Sequence, residues 1–169
     1  MPKMLILAAS DTDARDFLSD RRQDVPDDLW PPDRRYAATI ATWNGGGLAG
    51  NGFDAVIALE VIEHVADKAA FITALAGTLA PGGLMILSTP NRTTQSRLPM
   101  VEGAERIGLV PRGTHHWHDF ITPDELRELL AAAGLVMGEP QGIAWSPTRG
   151  LHLSADLALN YICGVTAGG

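Results

Sequence analysis

No apolar run in this 169-residue chain approaches the roughly 20 residues that span a bilayer, so nothing in it reads as a transmembrane helix. Cysteine is nearly absent. The single Cys163 allows no internal disulfide, which fits a reducing compartment. Basic charge is also short: 13 Lys and Arg stand against 20 Asp and Glu, a net charge of -7. A general nucleic-acid binder needs the opposite balance to meet phosphate, so that class is excluded. The apolar stretch after Lys3 is shorter than a secretion-signal core and Asp11 follows it closely, so the expected location is cytoplasmic. Glutamate is missing from residues 1–52, which hold eight Asp, while all seven Glu lie from Glu60 onward. What remains is ordinary for one soluble globular domain, with 46% hydrophobic and 20% charged residues and length enough for a real core.

The chain divides at residue 53. Residues 4–9 have the composition of a strand, but from Ser10 to Arg35 charges of both signs crowd together around Trp30-Pro31-Pro32 without helical or alternating period. Residues 1–52 are therefore expected to be irregular. Gly45-Gly-Gly-Leu-Ala-Gly50 resembles a phosphate loop in composition only. Such a loop needs a strand before it and a helix after it, whereas residues 41–44 make a poor strand and Phe53 opens another, so a linker is the reading.

Residues 53–169 are orderly. Phe53-Asp-Ala-Val-Ile-Ala-Leu59 reads as a buried strand of a parallel sheet, and it ends in Glu60, Glu63 and His64. Residues 65–79 have helical spacing with Asp67 as N-cap, and Pro81-Gly82-Gly83 stops them. Leu84-Met-Ile-Leu-Ser-Thr89 is a second buried strand closed by Pro90. Together these make a right-handed βαβ unit, an α/β arrangement with helices packed on the sheet. Residues 94–120 form a long connection, either a lid or binding insertion or a solvated connector. Thr122-Pro123-Asp124-Glu125 is a capping box with proline at the first helical position, and Gly134 ends that helix. Strands over 135–145 and 157–165 are expected to pair antiparallel at a sheet edge, with a turn at 146–150.

In open α/β sheets ligands bind at the carboxyl ends of the strands, where Glu60, Glu63 and His64 fall. If the chain turns helically there, the three converge at i, i+3 and i+4. Two carboxylates and an imidazole suit a divalent cation. Alternatively His64 is a general base oriented by Glu63, or Glu63 and His64 only cap the following helix while Glu60 bonds backbone amides. His115-His116-Trp117-His118 has no matching second cluster and is not read as a zinc site. His152 and Cys163 are read as structural, the latter buried and inert.

Glu60-Val-Ile-Glu-His-Val65, Pro81-Gly-Gly83, Ser88-Thr-Pro-Asn-Arg92, Val110-Pro-Arg-Gly-Thr-His115, Phe120 and Asn160-Tyr161 occur in the order of the ubiquinone-biosynthesis O-methyltransferase family, which the chain resembles over residues 53–167. The resemblance implies a partial Rossmann-like S-adenosylmethionine-dependent methyltransferase sheet, of which the four carboxyl-terminal strands are recognisable. It implies methyl transfer to a phenolic hydroxyl of a polyprenyl catechol or demethylubiquinol. Glu60, Glu63 and His64 match the family's metal positions, with Mg²⁺ expected, and Leu59 matches a position that contacts S-adenosylmethionine. Residues 107–120 match a substrate-side insertion suited to a lipid-tailed substrate and peripheral membrane contact. The family's opening strand, glycine-rich cofactor loop and ribose-binding acid are not found before Phe53. A truncated or frameshifted member is therefore expected, with an unpaired edge at the Phe53 strand. The alternatives are an inactive fragment or binding module that keeps the metal and substrate half, and an unrelated metal-dependent hydrolase.

Overall fold

In the computed structural model of the protein, the described residues are 3–8, 37–42, 48, 50–96 and 117–168. Residues 10–35, most of Gly45–Gly50, the insertion over 107–116 and the His115-His116 pair lie outside them. The elements run β1 (Lys3–Ala8), β2 (Ala37–Thr42), β3 (Phe53–Leu59), a 3-10 turn (Ile62–His64), α1 (Lys68–Thr78) and β4 (Leu79–Pro90). Next come a single helical turn α2 (Thr94–Ser96), a 3-10 turn (Trp117–Asp119), α3 (Pro123–Ala132), β5 (Leu135–Met137), β6 (Gly142–Ser146), β7 (Gly150–Ser154) and β8 (Asn160–Ala167).

Six strands form one sheet in the order β2-β1-β3-β4-β8-β5. β2, β1, β3 and β4 are parallel, and β8 pairs antiparallel with both β4 and β5. The sheet crosses the 52/53 boundary. Met4 pairs with Ala55 and Leu7 with Ala58, so the Phe53 strand has no open edge on that side, contrary to expectation. The physical reason is plain: Met4-Leu-Ile-Leu is a short apolar run, and a buried parallel strand needs little more. β1 falls on the stretch whose composition suggested a strand, while β2 lies within residues expected to be irregular.

Local signals explain most of the rest. Asp67 caps α1, its Oδ1 accepting from the Ala70 N–H, and Phe71, Ile72 and Leu75 bury one face against the sheet. The helix ends at Thr78, and the Pro81-Gly82-Gly83 segment already belongs to β4, where the register with β3 shifts between Phe53 and Ala55. A Cβ on Gly83 would lie 3.0 Å from the Phe53 carbonyl oxygen, so this close approach needs glycine. The capping box at Thr122 and Glu125 forms in full, and Gly134 follows α3 with φ of +76°.

The strand expected over 135–145 is two. Only Leu135–Met137 joins the main sheet, pairing with β8 at the edge as expected. Pro140, which lacks an N–H to donate, stands at the break, and β6 turns away to form a separate hairpin with β7. The core is continuous from Leu5 and Leu7 through Val56, Phe71, Met85 and Leu87 to Leu126, Leu130, Tyr161 and Val165. Among the described residues no helix is long and apolar enough to cross a membrane.

Candidate functional site

The chain leaves β1 toward β2 on one side and returns as β3 on the other. Such a reversal opens a crevice at the carboxyl ends of the strands, the usual place for a ligand in open α/β sheets. Leu59 ends β3 at this crevice. It is a large apolar side chain left 48% exposed, in register with buried Ser88 of β4.

Glu60 follows with φ of +54°, the only non-glycine among the described residues in the left-handed region. Backbone of this kind costs about 1–2 kcal/mol for a residue with a Cβ and concentrates at functional sites. It is held by Ser88, whose carbonyl accepts from the Glu60 N–H at 3.0 Å and whose hydroxyl donates to Glu60 Oε1 at 2.7 Å. Burial raises the Glu60 carboxyl above its ordinary pKa, against the Ser88 hydrogen bond that lowers it.

Glu63 lies in the 3-10 turn and is 5% exposed. Thr89 donates to its Oε2 at 3.2 Å. Desolvation, then the nearby Glu60 charge, push its carboxyl up to about 7, outweighing its backbone and Thr89 hydrogen bonds and the Lys68 charge. The His64 Nε2 stands 3.9 Å from Glu63 Oε1.

The three predicted ligands thus sit at one strand end but are not gathered. Glu60 turns left-handed before the 3-10 turn starts at Ile62, so the helical i, i+3, i+4 spacing does not hold across the three. Among the described residues no group of three or more His, Cys, Asp or Glu side chains lies close enough to hold a metal ion. The bland reading of the motif is not met either. Asp67 caps α1, and the Glu60 carboxylate accepts from a hydroxyl.

The end of β4 completes the edge. Asn91 donates through Nδ2 to the Leu157 carbonyl at 2.8 Å and through its backbone N–H to Leu159, while Thr93 Oγ1 donates to Ala158. This staples the loop after β4 to the segment before β8. Arg92 reaches across to Glu125 of the α3 capping box. Desolvation would raise the Glu125 carboxyl, but hydrogen bonds from Thr122 and the Arg92 guanidinium hold it below the ordinary value. Between the amino ends of α1 and α3 lies an open depression of about 750 Å³, lined among others by Lys68, Arg92, His118, Phe120, Glu125 and Leu129.

The sequence read Ser88 and Thr89 as the end of a buried strand but did not pair them with Glu60 or Glu63, nor Arg92 with Glu125. The capping box signalled where α3 starts, not which strand end it faces. Cys163 is buried as expected, its thiol pushed up to about 11 by desolvation. His152 is half-buried with Nδ1 2.9 Å from the Gly150 carbonyl, in keeping with a structural role.

A family model described as a methyltransferase domain matches residues 8–139. The ubiquinone biosynthesis O-methyltransferase of Methylobacterium sp. (strain 4-46) is 43% identical over 116 residues, 68% of this chain and 47% of that protein. The protein of the same name from Cereibacter sphaeroides (strain KD131 / KCTC 12085) is 47% identical over 117 residues, with the same two coverages. The chain thus spans about half the length of the curated relatives it matches. Among solved structures, the magnesium protoporphyrin IX methyltransferase of Synechocystis PCC 6803 with bound SAH superposes with a TM-score of 0.56 at 15% identity, over 99% of this chain and 74% of that one. A SAM-dependent methyltransferase from Thermotoga maritima gives 0.58 at 13% identity, over 98% of this chain and 81% of that one. At such identities the likeness is one of fold. With an α/β sheet of this order, a crevice at its reversal point and a matching family model over residues 8–139, the chain belongs to the methyltransferase-domain family.

Proposed function

We propose that the protein acts as an S-adenosylmethionine-dependent O-methyltransferase of ubiquinone biosynthesis, methylating a phenolic hydroxyl of a polyprenyl catechol or demethylubiquinol. The observation that carries this is one coincidence. The segment 43–47% identical to proteins of that name is long enough to hold the whole of the polar strand edge built by β3 and β4.

S-adenosylmethionine, bound at the crevice, supplies an electrophilic methyl group on a sulfonium sulfur. Leu59 would offer it an apolar wall. The depression between α1 and α3 has apolar walls in Phe120 and Leu129 with polar groups at its rim, the mixture a hydroxylated ring requires.

A divalent cation, expected to be Mg²⁺, belongs to the same proposal, with Glu60, Glu63 and His64 as its ligands. What supports it is the chemistry of the donors: burial, then the neighbouring Glu60 charge, raises Glu63, and a positive ion would offset both. When bound, such an ion lowers the pKa of an oxygen it touches, which for a catechol favours the nucleophilic phenolate. His64 would have to join the two carboxylates for the set to close.

Calorimetric titration of the purified chain with S-adenosylmethionine tests the core of the proposal, followed by release of S-adenosylhomocysteine with a short-tailed catechol. Saturable heat and catechol-dependent release are expected. No heat at millimolar ligand would overturn the enzymatic reading. Titration with Mg²⁺ and Mn²⁺ tests the ion separately: Glu63→Gln is expected to weaken its binding at least tenfold while leaving S-adenosylmethionine binding in place.

A further inference from the structure

One side of the β7 backbone has no partner. In the β6–β7 hairpin Ile143 stands opposite Leu153, and Ala144 opposite His152. The Gln141 N–H donates to the Ile162 carbonyl and the Ile143 N–H to Asn160 Oδ1, so the odd-numbered residues here point their backbone groups away from β7. Ile143 and Leu153 are therefore a non-hydrogen-bonded pair, and the Leu153 N–H and C=O face outward from the hairpin. Two positions along, those of Leu151 do the same. Among the described residues nothing takes up these four groups.

Open edges are ordinarily blunted by charge, proline, a bulge or brevity. β5, at the edge of the main sheet, is three residues long, and Glu139-Pro140 follow closely. β7 has none of these devices. Gly150-Leu-His-Leu-Ser154 holds no Lys, Arg, Asp, Glu or Pro and pairs with β6 without a register shift. It is also the apolar flank of the hairpin. Leu151 and Leu153 share the outward face with Trp145, and they are 76% and 55% exposed.

We infer that the free edge of β7 pairs with the same edge of a second copy of this chain, antiparallel across a two-fold axis at His152. Symmetry selects this occupant. With the axis there, Leu151 lies opposite the partner's Leu153 and exchanges two hydrogen bonds with it. The two-fold repeats that pair, so every outward group is used. An axis at Leu151 would instead bring Leu153 against the partner's Arg149, and the Arg149 N–H is already given to the Ser146 carbonyl. Charge agrees with the choice. Residues 141–154 hold no Asp or Glu in a chain of net charge -7, so two copies repel less here than across acidic surface. Arg149 has no ion-pair partner among the described residues. In this register it falls beside the partner's Ala155, next to the exposed carboxylate of the partner's Asp156. On the apolar face, Leu151 and Leu153 gain the partner's Leu153 and the partner's Leu151 as neighbours. A pairing this short buries less than the roughly 800 Å² per copy of a standard interface, so the dimer is a weak, reversible one.

Sedimentation velocity of the full chain, from low micromolar to submillimolar concentration, tests the inference. A reversible monomer–dimer equilibrium is expected. Leu151→Lys, at an exposed position, should weaken it by about tenfold or more by setting a charge on the edge. His152→Cys reads the register. Non-hydrogen-bonded partners stand about 4.5 Å apart at Cα, within disulfide reach, so mild oxidation should link two copies through residue 152. Leu151→Cys, offset from its own copy by two positions, should cross-link about tenfold less. The buried Cys163 of the wild type sets the background. A wild type that stays monomeric at submillimolar concentration would overturn the inference, leaving the edge to a strand of another protein. A dimer unchanged in the folded Leu151→Lys variant, or equal cross-linking at positions 151 and 152, would overturn it too. Should His152→Cys not fold, the Leu151→Lys comparison decides alone.

Discussion

The two halves of the sheet's carboxyl edge are built alike and equipped differently. β1 and β2 pair in unbroken parallel register over six positions, and β3 and β4 pair in parallel too, with one register shift between Phe53 and Ala55. β1 runs into Ala9-Ser-Asp-Thr with no glycine before Gly45, and β2 runs into Trp43-Asn44 with no carboxylate before Asp54. β3, by contrast, delivers Leu59, Glu60, Glu63 and His64, and β4 delivers Ser88, Thr89, Asn91 and Arg92. Backbone pairing asks only for short apolar β-formers, whereas a site needs particular groups at particular strand ends. A strand can therefore keep its place in the sheet while its end carries none of the expected chemistry.

The sharpest way to break this comparison is to test whether the amino-terminal strands carry weight in the fold. Leu5 of β1 and Leu87 of β4 are both fully buried. Leu5→Ala and Leu87→Ala should each cost about 2–5 kcal/mol in urea unfolding. A cost below about 1 kcal/mol for Leu5→Ala alone would show that β1 is not part of the cooperative core.

The next effect separates the two edges by pH. The folded-state pKa of Glu63 is raised from the ordinary 4.5 to about 7. Between those values the folded state keeps a proton that the unfolded state has lost. The stabilisation is therefore full below about 4.5 and disappears as pH rises through about 7, a change of about 3 kcal/mol. Urea midpoints measured with chelator present should fall over this window in the wild type and fall less in Glu63→Gln, where the raised Glu60 carboxyl still contributes. A flat wild-type profile would mean that Glu63 is more hydrated than its packing implies.

The smallest effect concerns strain. Glu60→Gly should gain about 1 kcal/mol from relief of the left-handed backbone, offset in part by the lost Ser88 hydrogen bond. Equal or greater stability with weaker Mg²⁺ binding is expected. A loss beyond about 1 kcal/mol would assign Glu60 to holding the fold rather than a ligand.

Much of the carboxyl-terminal part was legible because its signals are local. The Asp67 cap, the Thr122–Glu125 box, Gly134 and the buried run of β3 each involve neighbours within a few residues. β2 was not legible, since a parallel partner 34 positions away supplies what its own residues lack: Lys3 pairs with Ala37 and Ala8 with Thr42. The division of 135–145 was hidden for a related reason. Pro140 marks the break, but only contact with Ile162 and Asn160 decides that β6 leaves the sheet.

The opening charge imbalance, the βαβ order and the three ligand candidates after β3 were determined by residue identity and short spacing alone. Tertiary structure decided how those candidates relate. It set Glu60 left-handed against Ser88, buried Glu63 beneath Thr89, and kept His64 at 3.9 Å rather than in a closed set. It also turned the hairpin's apolar face to the outside. Spacing along a chain constrains which side chains can meet, but burial and the partners that long-range pairing brings determine their charge state and direction.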